Sequence, residues 1–185
     1  MRLKIGQRPD HGFDEPLGLL SDCHRRIECF LAVLTAITDR AGGGTLSVAE
    51  RAQLEAALAY FATAAPRHIA DEEESLFPRL QASDNRDARA ALEVIRRLER
   101  DHDEADAHHE AIARLVPRWL TDGSLADDLV RELTERLARL DALYAAHIGV
   151  EDRELFPAAA RLLSAADLAA IGREMAAQRS VRGPS

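Results

Sequence analysis

Residues 68 to 78 read His68-Ile69-Ala70-Asp71-Glu72-Glu73-Glu74-Ser75-Leu76-Phe77-Pro78. Residues 147 to 157 read His147-Ile148-Gly149-Val150-Glu151-Asp152-Arg153-Glu154-Leu155-Phe156-Pro157. The second stretch lies 79 residues after the first and repeats its histidine, isoleucine, glutamate, leucine, phenylalanine and proline, while Asp152 keeps the charge of Glu73. A fainter pair has nearly the same offset: His24 and His102 stand 78 residues apart. Each has a leucine four positions before it (Leu20, Leu98) and an acid four positions after it (Glu28, Asp106). The chain therefore reads as two helical hairpins of one design, each giving a histidine from its first helix and His-x-x-x-Glu from its second.

Around this repeat the residues favour helices. Alanine, leucine, arginine and glutamate dominate, and aromatic residues are only 4%, a balance that suits helix over sheet. Asp14-Glu15-Pro16 opens helix one near Leu17, and Gly42-Gly43-Gly44 ends it after Arg40. Ser47 and Glu50 form a capping-box pattern for helix two, which should reach Leu80. The polar cluster Ser83-Asp84-Asn85 restarts the chain, and helix three extends to about Trp119. Ser124 and Asp127 cap helix four, which ends near Leu163, and Ser164 and Asp167 open a short fifth helix. Long helices with short connections predict an all-α, up-down-up-down four-helix bundle. Its parts are an N-terminal arm (1–16), the bundle (17–163), and a C-terminal helix with a frayed tail (164–185). Pro66, Pro78 and Pro157 predict local kinks, because each removes a backbone donor.

The spacing carries chemistry. Positions i and i+4 of a helix differ by about 40° in direction, so His68 and Glu72, and likewise His147 and Glu151, share a face. Glu73 and Asp152, at i+5, point about 140° away and are poorer ligands on that geometry. His24, His68, His102 and His147 with Glu72 and Glu151 suit a pair of first-row transition metals, with two nitrogens for each ion and both carboxylates bridging. Histidine and carboxylate without thiolate fit iron, or manganese, better than structural zinc. Four protein ligands per ion leave open coordination positions for oxygen, nitric oxide or peroxide. Glu28 and Asp106 share a face with their histidines; each could accept a hydrogen bond from a ligand histidine, which is the favoured role, bind metal in another redox state, or form a salt bridge. Tyr144 is read as a core aromatic, His109 as an outer neighbour of the site, and His11 and His108 as non-ligands. Cys23 and Cys29 are read as small core residues on different helix faces, with no bridge between them.

Composition narrows the setting. A net charge of -8 and a pI near 5.4 argue against nucleic acid or an anionic membrane as partner. No apolar run approaches the roughly 20 residues of a membrane span, and the start lacks a secretory signal, so a cytoplasmic protein is expected.

In these residues the sequence resembles the hemerythrin family, specifically its HHE cation-binding branch, over roughly residues 17 to 163. The pattern His, His-x-x-x-Glu, His, His-x-x-x-Glu is similar to that of di-iron proteins implicated in repair of iron centres. The resemblance implies two iron ions held by His24, His68, Glu72, His102, His147 and Glu151, with the glutamates bridging. Oxygen-carrying members have a second histidine four residues after the one in helix three; Asp106 stands there in this chain. Three functions fit. The first is a di-iron protein that binds or reacts with a small oxidant or diatomic in sensing or stress response. The second is iron storage or delivery to an iron-acceptor protein, and the third a metal-independent helical interaction module.

Overall fold

A computed structural model describes residues 10–83 and 88–181 of the chain, and every regular element among them is a helix. Helix α1 (Pro16–Ala41) starts on a proline, whose missing N–H falls where no intrahelical partner exists, and stops at Gly42. Gly42 takes the left-handed φ of 52° and returns its N–H to the Thr38 carbonyl at 2.9 Å. Helix α2 (Val48–Ala70) opens on the predicted capping box, with Ser47 and Glu50 each satisfying the other's backbone N–H. This rod continues through a π-helical segment (Asp71–Leu76) into helix α3 (Phe77–Gln81). Helix α4 (Ala88–Asp122) follows, then helix α5 (Asp127–Val150). That rod likewise passes through a π segment (Glu151–Leu155) into helix α6 (Phe156–Leu162), and helix α7 (Ala165–Val181) ends the described chain.

Four rods, α1, α2–α3, α4 and α5–α6, form the bundle; α1 packs on α2 and α5, and α4 on α5 and α2. The fold is thus the all-α bundle that the repeat predicts, with the additional C-terminal helix expected from Ser164 and Asp167. No helix among the described residues is long and apolar enough to cross a membrane.

Several boundaries differ from expectation. Helix α4 runs one turn past Trp119, which is fully buried and donates its indole N–H to the Gly44 carbonyl at 2.9 Å. The Ser124–Asp127 cap does not form: the residue capping α5 is Ala126, with no side-chain hydrogen bond. Instead the Leu125 N–H bonds the Gly43 carbonyl at 2.7 Å, and this tie between the two loops fixes where α5 begins. The Ser164–Asp167 cap does form, with both reciprocal bonds at 3.1 Å. Helix α2 continues through Pro66, and where Pro78 and Pro157 predicted kinks the chain has π segments. In each, the N–H before the proline (Phe77, Phe156) bonds a carbonyl five residues back (Glu72, Glu151). Asp84, Asn85, most of the arm and the Arg182–Ser185 tail lie outside the described residues.

The core has two parts. One cluster, around Leu34, Leu54, Leu115, Trp119 and Leu133, fills the end where the α1–α2 and α4–α5 loops meet. The other, around Leu20, Leu76, Leu80, Leu98, Leu155 and Met175, fills the opposite end. Helix α7 belongs to this second cluster, with Ile171 and Met175 fully buried against the bundle. Gly172 lets the chain pass so close to Phe13 that an added Cβ would meet the Phe13 carbonyl at 1.8 Å. Arg179 closes the latch with two bonds, at 3.1 and 2.6 Å, to the carboxylate of fully buried Asp71.

Arg179→Leu strands that carboxylate, and should cost the metal-free protein about 3 kcal/mol in urea denaturation. Asp71→Leu combined with Arg179→Leu should recover most of the loss. If the single variant is as stable as the parent, the latch is not holding α7.

Candidate metal centre

Between the two apolar clusters lies a polar layer. His24, His68, His102 and His147 come from α1, α2, α4 and α5, and Glu72 and Glu151 from the first turn of each π segment; all six are buried, both glutamates at 0% exposure. Every residue predicted as a metal ligand is thus brought to one place. Their donor atoms form two groups, each within 4.8 Å: His24, His68, Glu72 and Glu151, then Glu72, His102, His147 and Glu151. Each hairpin pairs its own two imidazoles, and the two carboxylates belong to both groups. His24 Nε2 is 3.0 Å from Glu151 and 3.8 Å from Glu72, and His68 Nε2 is 3.4 Å from Glu72. On the other side His102 Nε2 lies 3.6 Å from Glu72, His147 Nε2 lies 3.2 Å from Glu151, and these two nitrogens are 3.1 Å apart.

The protein alone does not satisfy these atoms. His24 Nε2 and all four carboxylate oxygens of Glu72 and Glu151 are buried without a hydrogen bond of good geometry. Burying an unpaired carboxylate costs several kcal/mol, which a cation among the donors would offset. Burial, and then the neighbouring charge of Glu151, push Glu72 well above the usual carboxylate range. Burial acts on Glu151 in the same sense, but His147 and His24 outweigh it and hold this carboxyl well below that range. Burial opposes a charge on His24, yet Asp152, Glu151 and Glu72 together push it up to about 12. His68 moves down, through burial and the charge on His24.

The outer partners differ from the predicted ones. Glu28 and Asp106 are exposed, and neither bonds a histidine of the centre. That task falls to the i+5 acids: Asp152 meets His24 Nδ1 at 3.0 Å, and Glu73 meets His102 Nδ1 at 2.8 Å. A π segment winds more residues into each turn than an α-helix, so the i+5 side chain turns less far from the ligand face. Both contacts cross between the hairpins, and Ser21 donates to Asp152 at 2.7 Å. Asp101 reaches His147 Nδ1 at 3.4 Å, while His68 Nδ1 has no partner among the described residues. The sequence held a signal for the crossed pair, the charge shared by Glu73 and Asp152 in the repeat; it held none for Asp101.

A cavity of about 10 Å³ adjoins the four histidines, walled by Ile27, Ala65, Ile69, Tyr144 and Ile148. That is room for about one water-sized molecule. Tyr144 is therefore a wall of the site as well as a core aromatic. His109 does not bond the six residues; its Nε2 lies 2.7 Å from the Tyr144 hydroxyl. His11 bonds Asp22, His108 is buried outside both donor groups, and Cys23 and Cys29 are not joined.

Comparison with known proteins agrees with this geometry. The model of the hemerythrin HHE cation-binding domain matches residues 15–159. An uncharacterized protein of Haemophilus influenzae is 28% identical over 170 residues, covering 92% of this chain and 93% of its own.

Two outcomes follow from the site. Glu73→Gln and Asp152→Asn should each weaken metal binding by about tenfold to a hundredfold in chelator competition, whereas Glu28→Ala and Asp106→Ala should leave it unchanged. The reverse pattern would restore the outer role to Glu28 and Asp106. The second outcome concerns pH. His24 and Glu72 both have folded pKa values raised above their unfolded ones, so above pH 7 the folded metal-free protein binds more protons than the unfolded chain. Its stability should fall between pH 7 and 9, and bound metal should flatten the slope. Urea midpoints that rise with pH in the metal-free protein would contradict this.

Proposed function

The chain belongs to the hemerythrin HHE cation-binding domain family, and we propose that it holds two iron ions and binds or reacts with a small oxidant or diatomic molecule (oxygen, nitric oxide or peroxide) in sensing or stress response. His24 and His68 would hold one ion and His102 and His147 the other, with Glu72 and Glu151 shared between them. The observation that carries this reading is the set of unpartnered, fully buried carboxylate oxygens facing four imidazoles. Nitrogen and oxygen donors without thiolate suit iron, with manganese as the second choice. Bound iron supplies a redox-active Lewis acid with coordination positions for an added ligand. The chain supplies the rest. Asp152 and Glu73 keep the Nδ1 protons of His24 and His102, which leaves each Nε2 lone pair for the centre. Ile27, Ala65 and Ile148 make part of the cavity wall apolar, and the cavity's volume favours a diatomic over an organic substrate.

The same observations weigh against the other two functions. Donors buried between two apolar clusters favour retention of iron over delivery to an acceptor protein. A metal-independent interaction module would carry six buried polar side chains without a use for them.

Ferrous iron added under nitrogen should load to two ions per chain, matching the two donor groups. Admitting air should then raise charge-transfer absorption in the near ultraviolet. His68→Ala combined with His147→Ala should abolish uptake. Protein that takes up only traces of iron overturns the proposal.

A further inference from the structure

A second space opens on the outside of the bundle. It is a groove of about 300 Å³ between α2 and α4, lined by Leu58, Phe61, Asp106, His109, Glu110 and Ile112 among others. The His109 ring, packed 4.7 Å from that of Phe61, belongs to the groove wall. Its Nε2 lies 2.7 Å from the hydroxyl of Tyr144, and Tyr144 is a wall of the cavity beside the four histidines. One hydrogen-bonded pair therefore spans from the outer space to the inner one.

We propose that this groove is the route by which small neutral molecules reach the metal cavity, with the His109–Tyr144 pair as the partition that selects them. The inference rests on reading the cavity as a ligand pocket, and it names the ligand class. Size is set at the inner end, where the cavity has about 10 Å³. Charge is set at the outer end. Asp106 and Glu110 are exposed on the groove, and their field opposes an entering anion while leaving nitric oxide or oxygen unaffected. Phe61, Leu58 and Ile112 offer an apolar path between those acids and the partition. Asp106, placed by the repeat at a ligand-supporting position, takes the role of a charge filter in this arrangement.

An obstacle on a route changes entry and exit by the same factor, because it alters the barrier and not the two end states. A residue touching the bound ligand changes affinity instead. The iron-loaded protein, with nitric oxide as probe, separates the two cases in stopped-flow binding and flash photolysis. Ala62→Trp and Ala113→Trp, which fill the groove from exposed positions, should slow association and dissociation equally and leave Kd and iron content unchanged. His109→Leu should accelerate both. Asp106→Asn combined with Glu110→Gln should speed azide entry about tenfold and leave nitric oxide entry as it was. In the metal-free protein, the proton shared between the Tyr144 hydroxyl and His109 Nε2 should be a resolved, slowly exchanging NMR signal that His109→Leu removes. Unchanged rates in both tryptophan variants would overturn the route, and absence of the shared-proton signal in the parent would overturn the partition. If the iron-loaded parent binds no nitric oxide at all, the ligand-pocket reading itself fails, a different result from either.

Discussion

Two carboxylates and four imidazoles are buried away from bulk solvent, and the rest of the molecule is arranged around that fact. Glu72 and Glu151 belong to both donor groups, so their charges act on every histidine of the centre. With apolar clusters above and below, bulk solvent screens those charges little. This is why the neighbouring groups are displaced in opposite directions, Glu72 up and Glu151 down, His24 up and His68 down. One proton-poor and one proton-rich carboxyl side by side is how a buried acid pair behaves when the protein alone supplies its environment. A layer of this kind is a poor source of stability, and the cost is borne by tight packing at either end, where Leu34 and Leu54, or Leu20 and Leu80, are wholly enclosed.

The π segments let one short motif serve two purposes. The i+4 glutamate of each enters the centre, while the i+5 acid reaches sideways to a histidine of the other hairpin. Each half therefore orients a ligand that the other half provides. The symmetry is incomplete: Asp101 of α4 supports His147, and His68 has no such support on Nδ1. The two donor groups are alike in composition and unequal in the support their histidines receive on Nδ1.

Much of this was legible in the sequence because the repeat fixes residue types and spacing together. His68 and Glu72 share a face in any helix, and a matching pair 79 residues later points to a common centre. The capping boxes at Ser47 and Ser164 were equally readable, since each is complete within four residues. What escaped was long-range. The start of α5 depends on a bond between Leu125 and Gly43, and the partner of His147 lies on another helix. The reading of Glu73 and Asp152 as poorer ligands used α-helical winding, and neither belongs to a donor group. The widened turn directs them to histidines of the other hairpin, a role that winding did not suggest. Phe77-Pro78 and Phe156-Pro157 marked the places, because a proline there cannot continue the regular ladder.

The latch between Arg179 and Asp71 also bears on how the protein is made. Asp71 adjoins Glu72, one of the two shared carboxylates, and its charge is paired only once residue 179 is in position. A chain emerging from the ribosome delivers its N-terminal part first, so the first hairpin leaves the exit tunnel with both its histidines but neither Glu151 nor the guanidinium that neutralises Asp71. The sixth donor, Glu151, thus arrives with the second hairpin, and the partner of Asp71 later still. A chain still lacking residue 179 leaves that buried carboxylate without its partner, next to a glutamate of the centre.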